Sequence, residues 1–148
     1  MKIYPAIDIK DGKVVRLFQG KFDQVKTYSS HPVEQARKFY EQGAAYLHVV
    51  DLDGARHGSP ANLDIIENIT KIGLCVQCGG GIRDLKTAER LVNSGVDRIV
   101  LGSLVVEDST AASAIIGKIG SERVTFGLDL STDAERSEEH TSELQSPD

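Results

Sequence analysis

The stretch Cys78-Gly79-Gly80-Gly81-Ile82-Arg83 decides the fold, because it joins a short apolar run to a helical pattern. The apolar run covers Gly73 to Val76, and the helical pattern covers Asp84 to Ser94. Consecutive glycines at a strand-to-helix turn expose backbone N–H groups at a helix N-terminus, which suit a bound anion such as phosphate. Arg83 adds a guanidinium whose fork geometry matches phosphate oxygens. The alternative is a tight turn that needs positive φ angles and binds nothing.

Apolar strand patterns alternate with helical patterns along the first 130 residues. The strands end near Asp8, Asp51, Gly79, Gly102 and Asp129. Units of this length, roughly thirty residues each, are typical of strand–helix–strand repeats. Their alternation predicts a parallel sheet covered by helices, with any functional site at the carboxyl ends of the strands.

The first and last of these strands resemble each other. Ala6-Ile7-Asp8-Ile9 and Gly127-Leu128-Asp129-Leu130 match the same strand in two related halves. Doubling the strand–helix units gives a chain near the ~250 residues typical of a TIM barrel. We therefore predict an α/β fold in which residues 1–130 are the N-terminal half, (βα)4 plus strand 5, of a truncated TIM (βα)8 barrel.

The segments between these elements carry their own predictions. The Asp11-Gly12 pair predicts a hairpin turn. Gln19 to Ser30 is polar and predicts a mobile loop, and Leu52 to Pro60 predicts a second, glycine-bearing loop. Asn62 is predicted to cap the helix that follows it. The fifth strand is predicted to run from Val124 to Leu130.

Composition and charge restrict the classes of function. The chain has 148 residues, of which 40% are hydrophobic and 26% charged, enough for one domain with a core. Its net charge of −5 argues against a nucleic-acid partner. The apolar start is interrupted by Pro5 and Asp8 and is too short for a signal peptide, and no run reaches the length of a membrane span. We expect a cytoplasmic protein with no membrane or nucleic-acid partner.

Two short motifs could hold a metal or carry redox chemistry. Cys75 and Cys78 have a C-x-x-C spacing, but they lie along a predicted strand and no second pair completes a zinc site. We therefore expect buried, reduced thiols. Asp51 and Asp53 could also bind a metal, but no further ligands follow at a useful spacing. The residues predict no metal site.

The pattern of strands and helices ends at Leu130. Residues 136–148, RSEEHTSELQSPD, have almost no apolar residue and no amphipathic period, which is typical of a disordered acidic tail. Residues 136–146 also resemble the translation of a sequencing adapter, so we expect a non-native tail over residues 131–148 and exclude His140 as a metal ligand. The last thirteen residues carry four acids and one arginine, and without them the net charge is −2 rather than −5.

Polar residues at the strand ends are the candidates for catalysis. Asp8 and Asp129 could flank one substrate as general base and general acid, if their environments separate their pKa values. Each could instead only cap a loop or a helix. Gly102 and Ser103 follow the strand beside the glycine turn and could share its phosphate. His48 lies within the second main strand, and from the residues alone a core histidine is favoured over one that faces the site.

Five motifs occur in order between residues 1 and 130: Pro5-Ala6-Ile7-Asp8, Val15-Arg16-Leu17, His48 to Ala55, Gly79 to Arg83, and Leu101-Gly102-Ser103. In this combination they resemble the ProFAR isomerases of histidine biosynthesis, which act on phosphoribosylformimino-5-aminoimidazole carboxamide ribotide. The resemblance implies a (βα)8 barrel, no metal or organic cofactor, and a bis-phosphorylated small-molecule substrate. The implied reaction is an Amadori rearrangement of an aminoaldose to an aminoketose.

The resemblance also implies roles for individual residues. Asp8 matches the general base that removes the ribose C2′ proton, and Asp129 matches the general acid that protonates the ring oxygen. The positions that bind one substrate phosphate are matched by Gly81, Gly102 and Ser103, and those that contact the substrate elsewhere by Arg16, His48 and Arg83. The resemblance therefore places His48 at the site, and it implies that the segment after Phe18 closes over the substrate.

The chain departs from the pattern of that family. Cys78 stands where valine is usual, a conservative change in the core. We expect strands six to eight, the second phosphate site and a tryptophan-bearing loop after strand five to be missing, and the sequence contains no tryptophan. The chain is then a fragment that is poorly active alone. We expect the full-length protein to be a monomer and the fragment to be able to associate with itself.

Two other functions remain open. The cyclase subunit of imidazole glycerol phosphate synthase has the same half-barrel layout. That family has Cys-Leu-Asp at strand one, lysine at the Arg16 position and Asn-Ser after strand four, whereas this chain has Ala6-Ile7-Asp8, Arg16 and Gly102-Ser103. The other alternative is a non-catalytic, phosphate-binding half-barrel that dimerises through its open edge.

Overall fold

The computed structural model describes residues 1–18 and 21–130. The strands are β1 (Ala6–Lys10), β2 (Lys13–Phe18), β3 (Lys21–Ser29), β4 (Tyr46–Asp51), β5 (Cys75–Gly79), β6 (Arg98–Leu101) and β7 (Val124–Phe126). The helices are α1 (Pro32–Glu41), α2 (Leu52–His57), α3 (Leu63–Thr70), α4 (Leu85–Asn93), α5 (Leu104–Glu107) and α6 (Ser109–Ile119). No helix in these residues is both long and apolar enough to cross a membrane.

All seven described strands form one sheet in the order β3-β2-β1-β4-β5-β6-β7. From β1 to β7 the neighbours are parallel and follow chain order. A doubly wound sheet reverses its strand order at a switch point, and no such reversal occurs in the described parallel part. The arrangement corresponds to four βα units and the strand of a fifth in a TIM barrel, which confirms the predicted fold class.

Helices cover one face of the parallel sheet. Residues that alternate along its strands are fully or almost fully buried on that face, namely Ile7, Ile9, Leu47, Val49, Val76, Cys78, Ile99 and Leu101. They belong to one core with residues of the helices, including Ala36, Ile66, Ile69, Ala88, Leu91 and Ile115. Because side chains alternate along a strand, Asp8, His48 and Gln77 lie on the opposite face, where they are half-buried. In a closed barrel that face is the interior.

Two segments that were predicted as loops are regular structure. The polar segment Gln19 to Ser30 contains β3, which pairs antiparallel with β2, while Gln19 and Gly20 lie outside the described residues. Most side chains of β3 are exposed, so backbone pairing rather than an apolar face holds it. The segment Leu52 to Pro60 contains α2, whose first turn is capped by the Asp51 side chain.

The boundary of the last strand was also predicted wrongly. β7 ends at Phe126 rather than Leu130, because its partner β6 ends at Leu101, which pairs with Phe126. The predicted hairpin is confirmed, with φ angles of 51° at Asp11 and 72° at Gly12. The predicted tail, residues 131–148, lies outside the described residues.

The glycine turn is a point of close packing. Gly80 has φ of 111° and Gly81 has φ of 77°. A Cβ atom on Gly80 would overlap the backbone carbonyl of Asp51, and one on Gly81 would lie 2.5 Å from the carbonyl oxygen of Gly54. The turn does not lie at the N-terminus of α4 as predicted, because Asp84 occupies that cap and accepts a hydrogen bond from the Thr87 N–H at 2.7 Å.

Replacing Gly80 by alanine should lower the free energy of unfolding by about 1–3 kcal/mol, because the new Cβ meets backbone and φ is unfavourable. Gly117→Ala is the matched control, since Gly117 lies in α6 with open space around it. That variant should gain about 0.5–1 kcal/mol from helix propensity. Urea denaturation of the three proteins measures both effects, and equal stabilities would contradict the packing described here.

Candidate functional site

The carboxyl ends of β4, β5 and β6 surround a cavity of about 310 Å³. The predicted site residues that line it are His48, Gly81, Arg83, Gly102, Ser103 and Asp129. The glycine turn therefore faces the end of β6 across a space large enough for a small ligand. His48 contributes to this wall and is not a residue of the apolar core.

The wall of this cavity is suited to an anion. Gly79, Gly80, Gly81 and Gly102 line it without side chains, so that a ligand can approach the backbone closely. Arg83 adds a positive charge, and its Nη1 lies 3.0 Å from Oε2 of Glu107. Both side chains of that pair are exposed, so the pair contributes little stability, and an anionic ligand can draw the guanidinium away.

Asp8 and Arg16 line a second cavity, of about 350 Å³, formed with Ala6, Val14, Val15, Tyr28, Gln35 and Phe39. The guanidinium of Arg16 lies 5.9 Å from the centre of the Tyr28 ring, a cation–π arrangement. The structure thus distributes the predicted site residues over two cavities rather than gathering them around one.

His48 lines the first cavity and Asp8 the second, and the charge of each affects the pKa of the other. Burial raises the pKa of Asp8 above its ordinary value, and the positive charges of His48 and Arg16 oppose that rise. Burial lowers the pKa of His48, and the negative charge of Asp8 opposes that fall. The result is a weakly basic imidazole near a carboxyl group that holds its proton more readily, which is the direction required of a general base.

Asp129 differs from Asp8 in its surroundings. It is exposed, follows the end of β7 by three residues and lines the cavity of the glycine turn. Asp8 lies in β1, at the opposite edge of the parallel part of the sheet, and lines the second cavity. That the two carboxylates act on one substrate stays a prediction.

Asp51 was not predicted as a site residue, yet it organises the loop beside the cavity. It is 1% exposed. Its carboxylate accepts hydrogen bonds from the backbone N–H groups of Gly54 at 2.8 Å, Ala61 at 2.7 Å and Asn62 at 3.0 Å, and from the Asn62 side-chain amide at 2.7 Å. Hydrogen bonds to a charged acceptor are stronger than neutral ones. Together they fold residues 52–62 back onto the end of β4, which places Ala55 in the cavity wall.

Asn62 extends this network to the first hairpin. Its Nδ2 also lies 2.9 Å from Oδ2 of Asp53, and the same oxygen accepts the N–H of Asp11 at 2.8 Å. The residue occupies the predicted N-cap position of α3, but its side chain makes no capping bond because it binds the two aspartates instead. The sequence contained a signal for this network. Asp51 ends a buried strand, where a carboxylate needs hydrogen-bond donors, and Asn62 follows eleven positions later with an amide that can donate.

The structure also shows the surroundings of the two cysteines and of the other side chains that could bind a metal. Cys75 and Cys78 are both free; Cys78 is buried, and burial raises the pKa of its thiol to about 12, with the charge of Asp51 adding to the rise. A thiol of this kind is unreactive. Cys78 matches the predicted buried thiol, whereas Cys75 is only partly buried. Within the described residues, no three His, Cys, Asp or Glu side chains are grouped to hold a metal ion.

Removing the Asn62 side chain should lower the free energy of unfolding by about 1–3 kcal/mol, because Asp51 and Asp53 lose a partly buried donor. Asn68→Ala is the control, since Asn68 is exposed on α3 and should change stability by no more than about 0.5 kcal/mol. Thermal and urea unfolding compare the two variants. If Asn62→Ala unfolds like the wild type, the network does not hold the loop.

Asp8→Asn should stabilise the chain at pH 7. The folded-state pKa of Asp8 lies above its ordinary value of 3.8, so its ionisation costs stability once the pH rises above that raised pKa. The advantage of the neutral variant should shrink as the pH falls and vanish below about 3.8. Urea unfolding from pH 3 to 8 measures it, with Asp23→Asn, at an exposed position, as the control. A destabilised variant at pH 7 would contradict the electrostatics described.

Comparison with known proteins gives one matching family model and several similar curated proteins. A family model described as "Histidine biosynthesis protein" matches residues 2–145. Three similar curated proteins carry the name 1-(5-phosphoribosyl)-5-((5-phosphoribosylamino)methylideneamino)imidazole-4-carboxamide isomerase. The chain is 47% identical to the one from Caldicellulosiruptor bescii, over 88% of the chain and 55% of the relative. The corresponding values are 47%, 87% and 53% for Syntrophomonas wolfei, and 44%, 90% and 56% for Legionella pneumophila.

The chain spans about half the length of the curated relatives it matches. These relatives are named as isomerases, which agrees with the resemblance found in the sequence and not with the cyclase alternative. Because the family model covers most of its length, this chain belongs to the histidine biosynthesis protein family.

Proposed function

We propose that this chain carries part of the active site of a histidine-biosynthesis isomerase, which converts an aminoaldose to an aminoketose by an Amadori rearrangement. The observation that carries the proposal is the cavity where His48, the glycine turn and Ser103 meet, with Asp8 in a second cavity and close enough to His48 to affect its pKa. The names of the relatives support a substrate with two phosphoribosyl groups on an imidazole carboxamide.

In this proposal proton transfer is divided between two carboxyl groups. Asp129 donates a proton to the ribose ring oxygen as the bond from that oxygen to C1′ breaks, which leaves a C1′–N iminium. Asp8 then takes the C2′ proton, and the electrons of that C–H bond neutralise the iminium nitrogen. The enol that results takes a proton at C1′ and loses its hydroxyl proton, which gives the ketone at C2′ with the amine on C1′. The raised pKa of Asp8 supports its role, since a base that holds a proton more readily is the better acceptor.

The substrate is anchored by one of its phosphates in the cavity of the glycine turn. Backbone N–H groups at Gly81, Gly102 and Ser103 would face the phosphate oxygens, with the Ser103 hydroxyl as an added donor. Arg83 would leave Glu107 for the phosphate or contact the substrate beside it. Arg16, which lines the cavity of Asp8, would contact the end of the substrate where the proton is removed.

The second phosphate needs an anchor of its own. We place it in the part of the relatives' length that this chain does not span. Positioning of the substrate supplies much of the rate enhancement of an enzyme, so this chain alone is expected to turn over poorly. We expect the complete enzyme to be a cytoplasmic monomer.

A fusion of residues 1–130 with the second half of the Caldicellulosiruptor bescii isomerase tests the function. It should restore growth without histidine to a bacterium that lacks this isomerase. Asp8→Asn in the fusion should lower kcat by about 10²–10⁴-fold, as expected for loss of a general base. Asp64→Asn, exposed on α3, is the matched control and should retain activity.

The outcomes separate the parts of the proposal. A folded fusion without isomerase activity would contradict the function itself. An active fusion that tolerates Asp8→Asn would contradict the role of Asp8 alone. Turnover of the isolated 148-residue chain near that of the fusion would contradict the need for a second anchor.

A further inference from the structure

Three polar side chains beside the cavity, those of His48, Gln77 and Thr125, form a row of hydrogen bonds across the sheet. The proposed reaction does not use Gln77 or Thr125. Nδ1 of His48 lies 3.0 Å from Nε2 of Gln77, its register partner on β5. Oε1 of Gln77 in turn lies 3.4 Å from the hydroxyl of Thr125 on β7. Both contacts are partly buried, so they are shielded from competition with bulk water.

The direction of the hydrogen bonds in this row determines where His48 carries its proton. The Thr125 hydroxyl donates to the carbonyl oxygen of the Gln77 amide. The amide nitrogen is then turned toward His48 and donates to Nδ1. A ring nitrogen that accepts a hydrogen bond carries no proton, so a neutral imidazole in this position is protonated on Nε2.

We propose that Gln77 and Thr125 are positioning residues that hold His48 as its neutral Nε2–H tautomer, which donates a hydrogen bond to a substrate oxygen in the cavity. The identity of the acceptor rests on the proposed function, whereas the tautomer does not. His48 lines the cavity, and its hydrogen bond to Gln77 engages Nδ1, which leaves Nε2 for a ligand.

The surroundings of the ring favour its neutral form. Burial lowers the pKa of His48, and Asp8 on the neighbouring strand β1 is the charged group that opposes this effect. On the other side, β5 presents the uncharged Gln77. Protonation of the ring would also place a proton on Nδ1 against the amide N–H, which would break their hydrogen bond.

A neutral donor fits the division of work between His48 and Asp8. Because the electrons of the C2′–H bond neutralise the iminium nitrogen in the proposed reaction, the task left to a fixed N–H donor is to hold a substrate oxygen in place without exchanging a proton. A charged imidazolium is a stronger acid, so it would give up a proton more readily, to the substrate oxygen or to the Asp8 carboxylate that must stay free to accept the C2′ proton. In this arrangement His48 orients the substrate and Asp8 alone moves the C2′ proton.

Nitrogen NMR of the histidine rings in the 148-residue chain, without any ligand, tests the tautomer. The spectrum should show His48 protonated on Nε2 and unprotonated on Nδ1 at pH 7. Gln77→Glu should reverse this pattern, because a carboxylate accepts from Nδ1–H, and it should raise the pKa of His48 by about 1 or more. Thr125→Val should weaken the preference for Nε2–H, because the amide loses the partner that orients it.

Gln24→Leu is the control, since Gln24 is exposed on β3, and it should leave the His48 spectrum unchanged. A wild-type ring protonated on Nδ1 would overturn the proposal, because it means that the Gln77 amide has the opposite orientation. So would a Gln77→Glu variant whose tautomer and His48 pKa match the wild type. Because no substrate is present, these results do not depend on whether the isomerase fusion is active.

Discussion

A buried carboxylate must be surrounded by donors, and the site of this protein depends on how Asp51 satisfies that requirement. Three backbone N–H groups and one side-chain amide converge on it. In doing so they fold the segment after β4 back against the sheet. Gly80 and Gly81 then pack directly on Asp51 and Gly54, with no space for a Cβ atom. The wall of the cavity is therefore positioned by one charge and the backbone that neutralises it.

The two faces of the sheet divide structure from chemistry. Apolar residues alternate onto the helix-covered face, while polar ones such as Asp8, His48 and Gln77 share the other face. Partial burial there changes the proton affinities of Asp8 and His48 in opposite directions. Asp129 lies exposed beyond the last described strand. One proposed catalytic group is therefore held within the described sheet, and the other lies at its margin.

The sequence predicted those elements that bury a continuous apolar face. Helices α1, α3, α4 and α6 and the parallel strands carry such a face, so their periodicity revealed them. β3 and α2 do not: backbone pairing holds the first, and a side-chain cap begins the second. Asp51 was recognised as polar, but its partners Ala61 and Asn62 come near only after the chain folds back. The anion site at the glycines stays a prediction, and the structure adds a reason that the sequence did not show, because close packing leaves no space for a Cβ atom at Gly80 or Gly81.

The central claim is that the cavity between the glycine turn and the end of β6 holds a sugar phosphate. Titration of the isotope-labelled chain with ribulose 5-phosphate, followed by amide NMR, tests it most directly. The account predicts saturable shifts that are largest at Gly81, Gly102 and Ser103, that inorganic phosphate reproduces in part and that salt weakens. Shifts confined to other surfaces, with these three amides unmoved at saturation, would contradict it.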